Sequence, residues 1–275
     1  MDNNCFQEDG AFVILVTIKK AGDNIEHFCK KCGNPLSKTQ ISKKGVFCSK
    51  ACASSYNSSA YDPDIFEIEN KHILYYIIGL IVTDGNISKN NKKLTISLTD
   101  KDVIYALSQY VINTKRRKIY SQQPKLKNAS KAYTLINANP NTIQKLNKIG
   151  ITSQKTYTLR MPQIDEKYVY DFLRGVFDGD GCVYISNKRY GGYFSIAIAS
   201  GSTNFSNDLM NLLTQLGYSP KLVLDSRRKN NEHKTYCIKL NKQIEVARFM
   251  ENIYKHANSI MIKRKYDKYY DKNMV

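Results

Sequence analysis

Tyr76-Ile77-Ile78-Gly79-Leu80-Ile81-Val82-Thr83-Asp84-Gly85 recurs 96 positions later as Phe172-Leu173-Arg174-Gly175-Val176-Phe177-Asp178-Gly179-Asp180-Gly181. Each is an apolar, helix-like run with a glycine in its middle and Asp-Gly at its end. A mid-helix glycine costs roughly 1 kcal/mol relative to alanine, so a glycine at the same place in both copies points to a contact too close for a side chain. Packing the runs face to face through Gly79 and Gly175 brings their C-terminal ends together and makes Asp84 and Asp180 neighbours. Two carboxylates about 4 Å apart repel by roughly 4 kcal/mol at an effective dielectric near 20, and each also faces the negative end of its own helix. A shared proton would compensate; so would a hard divalent cation such as Mg2+ or Ca2+, which takes carboxylate oxygens together with water and phosphate. Asp-Gly as a simple helix stop accounts for one copy, but not for two matched copies in a basic chain.

Ile-Ile-Gly-Leu-Ile-Val-Thr-Asp-Gly and Leu-Arg-Gly-Val-Phe-Asp-Gly-Asp-Gly resemble the motif of the LAGLIDADG homing endonucleases, here in the two-motif, single-chain form. The resemblance extends over about residues 71–275. It implies a mixed α/β fold of two pseudo-twofold αββαββα halves, whose motif helices form the seam and whose antiparallel sheets make a basic saddle over double-stranded DNA. It also implies a monomer that cuts both strands of a long site and serves intron mobility. Asp84 and Asp180 would bind Mg2+ (or Mn2+), with Gly85 and Gly181 counted in the metal site. A lysine after the last helix of each half would be catalytic: Lys155 in the first, and in the second one of Lys263, Arg264 and Lys265, with Lys265 the candidate. Two rivals share the fold. An RNA maturase acting on intron RNA needs the basic saddle but not the acids, and a DNA-binding regulator needs no catalysis at all.

Composition agrees with a polyanion partner. The 275-residue chain has a net charge of +18 and 42% hydrophobic residues, enough for a core. The charge is uneven: residues 1–70 hold 8 lysines and 9 acids, whereas 71–275 hold 34 Lys plus Arg and 15 acids. Phosphate binding by counterion release therefore belongs to the repeated part. The apolar run Ala11 to Ile18 is too short to span a bilayer and lacks a basic flank, and no basic amphipathic helix stands out, so a cytoplasmic, nucleoid-associated protein without membrane contact is expected.

Before the repeats, Phe12 to Ile18 reads as one strand. Cys29-x2-Cys32, then fifteen residues, then Cys48-x3-Cys52 suits tetrahedral, structural Zn2+ in a small N-terminal domain that has little core of its own. Lys30, Lys31, Lys38, Lys43, Lys44 and Lys50 make this finger locally basic, which favours an accessory DNA clip over a purely structural knob. Cys5, Cys182 and Cys237 have no ligand-like spacing. The expected organisation is 1–55 strand and finger, 56–70 linker around Asp62-Pro63-Asp64, 71–163 first half and 164–275 second half.

Within the first half, alternation turns Leu94, Ile96 and Leu98 inward and Thr95, Ser97 and Thr99 outward. Helices over about 100–111 and 140–149 and strands near 119–123 and 132–137 complete it. In the second half Phe194, Ile196 and Ile198 alternate with Ser195 and Ala197. Candidate DNA-binding positions are Lys93, Thr95, Ser97, Lys118, Lys188, Arg189, Ser195, Arg227, Arg228 and Lys239. Asp178 faces Val82 in the other copy and reads as a water-positioning or solvated acid. Arg189 at the twelfth position from Asp178 rules out a calcium loop of the EF-hand type.

Overall fold

A computed structural model describes residues 27–30, 32–53, 62–115, 117–123, 130–186, 192–225, 235–258 and 260–273. The expected strand Phe12 to Ile18 lies outside them, as do Lys31, Lys188, Arg189, Arg227 and Arg228. The chain divides into two compact units, Met1–Ser59 and Ala60–Val275.

In the smaller unit, a turn closes on itself through Gly33 N–H to Cys29 O at 2.9 Å and Cys29 N–H to Asn34 O at 2.8 Å. Gly33 sits at φ +72°, a left-handed conformation natural to glycine. A helical turn, Lys38–Ser42, follows, opened by a capping box between Ser37 and Gln40.

In the larger unit, α1 (Lys71–Asp84) runs directly into β1 (Gly85–Ile87) and pairs through it with β2 (Leu94–Leu98); α2 (Lys101–Val111), β3 (Tyr120–Gln122), β4 (Ala132–Asn137) and α3 (Pro140–Lys148) complete a first αββαββα set. The second set is α4 (Val169–Asp180), β5 (Gly181–Ser186), β6 (Tyr193–Ser200), α5 (Thr203–Gln215), β7 (Lys221–Leu224), β8 (Tyr236–Leu240) and α6 (Gln243–Tyr254), and a further helix α7 (Lys263–Asn273) follows. Each set contains a four-stranded antiparallel sheet, ordered β1-β2-β4-β3 and β5-β6-β8-β7. The equivalent order is the structural counterpart of the sequence repeat.

Local signals place the helices. Asn70 accepts from His72 N–H to start α1, Asn139 caps α3 with Pro140 in its first turn, and Ser202 caps α5. Leu94, Ile96 and Leu98 are buried while Thr95 and Ser97 are half-buried on the other face. In β6, Ile196 and Ile198 are buried and Phe194 is half-buried.

The segment beginning Asp62-Pro63-Asp64, expected to be a linker, belongs to the larger unit. Asp62 is buried and accepts from Asn113 N–H, Ala138 N–H and Arg117 Nε, while Asp64 accepts from Phe66 N–H and Lys145 Nζ. Turn-forming residues at a junction also serve as side-chain caps, and composition does not separate the two uses.

The seam is the contact of α1 with α4. A Cβ on Gly79 would lie 2.9 Å from Gly175 Cα, and one on Gly175 would lie 2.8 Å from Gly79 Cα and from Leu80 N. The two backbones touch where neither residue has a side chain. At the N-terminal ends of the helices His72 Nδ1 pairs with Asp171 at 2.7 Å, and Arg174 lies 4.7 Å over the Tyr76 ring while bonding Asp171 at 2.8 Å. These polar contacts fix the register that the glycines permit.

Candidate functional site

Because α1 and α4 end in register, their last turns meet. The position of a Cβ on Gly179 would overlap the Thr83 hydroxyl and Asp84 Oδ2, so the tip of one helix is against the tip of the other. Asp84 is half-buried and Asp180 exposed at this meeting point, and Gly85 and Gly181 start the first strand of each sheet. Thr83 Oγ1 lies 3.0 Å from Asp84 Oδ2; its counterpart in the other copy is Gly179, which offers no hydroxyl to Asp180.

Both carboxyls are harder to ionise than usual. Burial raises Asp84, more than the Thr83 hydrogen bond and the nearby lysines lower it. Asp180 keeps solvent access, yet the protein packed around it, and then the facing charge of Asp84, push it up to about 6. Two acids that disfavour each other's charge, with no basic side chain bonded to either among the described residues, form a hard-oxygen donor pair that fits a divalent cation.

One buried lysine reaches the end of each motif helix. Lys155 Nζ donates to Val82 O at 2.6 Å and lies 3.4 Å from Thr83 O; Lys265 Nζ donates to Phe177 O, Asp178 O and Gly179 O at 2.9, 2.6 and 3.0 Å. Each cation thus sits on the negative end of a helix dipole. Burial brings Lys155 down to about 8 and also lowers Lys265, while Asp84 and Asp180 pull both back up. Of the three cations in Lys263-Arg264-Lys265, the other two are engaged elsewhere: Lys263 pairs with Asp267, and Arg264 makes a two-pronged bridge to Asp100 at 2.8 and 3.0 Å. Two acids and two lysines give a site that is formally neutral without metal.

Asp178 corrects the sequence reading. It is neither solvated nor water-positioning but fully buried, accepting from Tyr76 OH at 3.0 Å, Tyr254 OH at 2.8 Å and Ile262 N–H at 2.9 Å. It ties α4 to α1, to α6 and to the segment that leads into α7 and Lys265. Tyr76 and Tyr254 carry no local signal for this task, since their partner is 102 and 76 positions away. Asp178→Val, which copies Val82 of the other half, strands three donors in the core and is expected to cost about 3 kcal/mol or more, a fall of some 6–12 °C in thermal denaturation. A loss below about 2 °C would show the network to be dispensable.

The sheet positions divide. Lys93 and Lys118 are exposed, and Thr95 and Ser97 lie on the outward face of β2, with Ser97 Oγ 2.8 Å from Thr134 Oγ1. Lys239 stands between Ala197 of β6 and Lys221 of β7, a like-charge cross-strand pair of a kind that destabilises a sheet without an anion nearby. Ser195 is a correction: it is fully buried, with its hydroxyl 2.9 Å from Ser186 Oγ, because alternation assigns a face but not what covers it.

In the smaller unit Cys29, Cys32, Cys48 and Cys52 bring four sulfur atoms within 4.8 Å of one another, a cluster that could hold a metal ion. The Cys32–Cys48 and Cys48–Cys52 sulfur pairs are each 3.5 Å apart. Hydrogen bonding to Cys52 first, then to Cys32, pushes the Cys48 thiol up to about 12. No helix among the described residues is long and apolar enough to cross a membrane.

With the geometry in place, comparison with known proteins shows what the chain is similar to. Residues 167–254 match the model described as a LAGLIDADG-like domain. An uncharacterized protein of Methanocaldococcus jannaschii is 24% identical over 164 residues, 59% of this chain and 60% of that protein, so the match spans less than two thirds of the relative. Among solved structures, the homing endonuclease I-WcaI bound to its DNA recognition sequence is 18% identical with a TM-score of 0.49, covering 79% of this chain and 92% of that one. Full-length DUF199/WhiA from Thermatoga maritima is 13% identical with a TM-score of 0.45, covering 77% and 65%. Residues 167–254 thus carry the match to a LAGLIDADG-like domain, and the preceding αββαββα half repeats their motif and strand order within the same chain.

Proposed function

We propose that the chain is a site-specific, divalent-metal-dependent DNA endonuclease that cuts both strands of a long target. The observation that carries this reading is the meeting of two glycine-notched helices at an acid pair flanked by two buried lysines. Asp84 and Asp180 would hold Mg2+ or Mn2+, with Gly85 and Gly181 beside them, and the four-cysteine cluster would hold structural Zn2+. An ion held there would supply Lewis acidity toward the scissile phosphate and a more nucleophilic water.

The chain's own residues do the rest. The Gly79–Gly175 contact fixes the separation of the acids, and the helix ends leave them facing outward at the start of both sheets. Lys155 and Lys265 hold positive charge beside the position where a phosphate gains negative charge during in-line attack by water. The polar outward faces of the two sheets, with Lys93, Lys118 and Lys239, neutralise DNA phosphates on either side. Unequal sheets and the unequal residues Thr83 and Gly179 suit a target whose half-sites differ.

Incubation with DNA flanking the protein's own gene is expected to give a discrete double-strand cut that requires added Mg2+ or Mn2+ and is absent with Zn2+ alone. Cutting that persists without those ions overturns the reading. The pH dependence has a worked sign. Protonating Asp180 below about 6 removes an anion from the metal site, so the rate falls on the acid side. Deprotonating Lys155 above about 8 removes a cation, so it also falls on the alkaline side. Raising Mg2+ should move only the acid limb, to lower pH, because ion and proton compete there. A profile flat from pH 5 to 9, by about the accuracy of an initial-rate assay, would count against these roles.

A further inference from the structure

Residues 27–53 contain six lysines and no aspartate or glutamate. Lys30, Lys38, Lys43, Lys44 and Lys50 are all exposed. Four thiolates around one divalent ion would carry a formal −2, leaving this segment at about +4. A knob that served only to fold would gain nothing from such self-repulsion. Apolar surface adds to the picture: Phe28 is 47% exposed and Val46 42%. Lys30 N–H donates to Val46 O at 3.0 Å and Lys44 is two residues before Val46, so Phe28, Lys30, Lys44 and Val46 lie on neighbouring backbone. Lys44 has φ +53°, in the left-handed region that glycine and asparagine occupy more readily. Among the described residues of 27–53, only Cys29 and Leu36 are buried apolar groups, so the unit has almost no core and its order depends on what the four sulfurs hold.

We propose that the four-cysteine unit is a second, metal-dependent contact for double-stranded DNA: the bound ion folds it, its lysines engage duplex phosphates and Phe28 supplies apolar contact. The choice of duplex DNA as the polyanion rests on the reading of the larger unit; the charge and the metal cluster do not. Both units are in one chain, so engagement of the second is intramolecular and extends the bound stretch of DNA without a separate encounter.

The test uses the full-length protein, without Mg2+, and a labelled duplex of about 40 base pairs of arbitrary sequence, titrated over a series of salt concentrations. Lys43→Glu with Lys44→Glu should weaken binding about tenfold near 0.1 M salt and reduce the log-log salt slope by about 2, at roughly 0.9 per phosphate contact. Phe28→Ala should weaken binding a few-fold with the slope unchanged. Cys48→Ser with Cys52→Ser should lose at least as much as the lysine variant. Co2+ added to metal-stripped protein reports the fold: thiolate-bound tetrahedral Co2+ bands should appear in the unaltered chain and in the lysine variant, and vanish in the cysteine variant. Unchanged affinity and slope in a lysine variant with intact Co2+ bands overturns the proposal, as does the absence of those bands in the unaltered chain. A larger loss on an RNA duplex of equal length than on DNA overturns the choice of DNA. Because nothing is cut in this assay, a chain that failed as a nuclease could still pass, and a proven nuclease could still fail.

Discussion

Asp84→Asn combined with Asp180→Asn is expected to reduce DNA cleavage by about a thousandfold or more, which is about 4 kcal/mol of activation free energy. Duplex affinity measured without Mg2+ should stay within a factor of about three, since neither acid neutralises a phosphate. Thermal stability should rise. A carboxyl whose folded-state pKa is raised destabilises the fold once it is ionised: the unfolded chain gives up its proton first, near 3.8, and stability falls as pH rises to about 6 for Asp180 and stays lower above it. Asparagine keeps the shape and removes that charge, so the substitution relieves the site at neutral pH. Each single variant should lose nearly as much cleavage as the double, because two ligands of one centre act as a unit. Cleavage within tenfold of the unaltered protein would place the chemistry elsewhere. Lost cleavage with a lower melting temperature would trace the defect to folding instead. A chain that binds DNA but never cuts, with or without its acids, would match the regulator rather than the nuclease.

The halves and the seam could be read from the sequence because local pattern encodes them. Glycine in the middle of an apolar helical run has few explanations, and strict alternation at Leu94, Ile96 and Leu98 reports a half-buried strand without help from the rest of the chain. What escaped was settled by distant partners. Asp178 and Asp180 are two residues apart in one Asp-Gly repeat, yet one is sealed by Tyr76, Tyr254 and Ile262 while the other meets solvent. Lys263, Arg264 and Lys265 are chemically close, and only Asp267 and Asp100 decide which of them is free to turn inward. Ser195 lies on the polar face its alternation predicts but is covered there. Position within an element was legible; occupancy of the space beside it was not.

Alanine at Gly79 or Gly175 separates two expectations that a helix-propensity argument would merge. In an isolated helix the change gains about 1 kcal/mol. Here the new methyl group would meet the opposing backbone at under 3 Å, with no flexible side chain at the point of collision to move aside. The helices must part, and each substitution is expected to cost about 3 kcal/mol despite the gain in propensity. For a unit of this size that is a fall of about 10 °C, readable by thermal denaturation. Activity should suffer separately: parting the seam by about 1 Å moves the acid pair and the two lysines off each other, and a displacement of that order can cost about a hundredfold in rate even at temperatures where the variant is folded. The double variant should cost less than the two singles together, since one methyl group already opens the gap the other needs. Full additivity would mean that the glycines act in separate contacts, and melting temperatures unchanged by either alanine would mean that the helices do not cross at this point at all. The second outcome would also remove the closest backbone contact that holds Asp84 and Asp180 at one site.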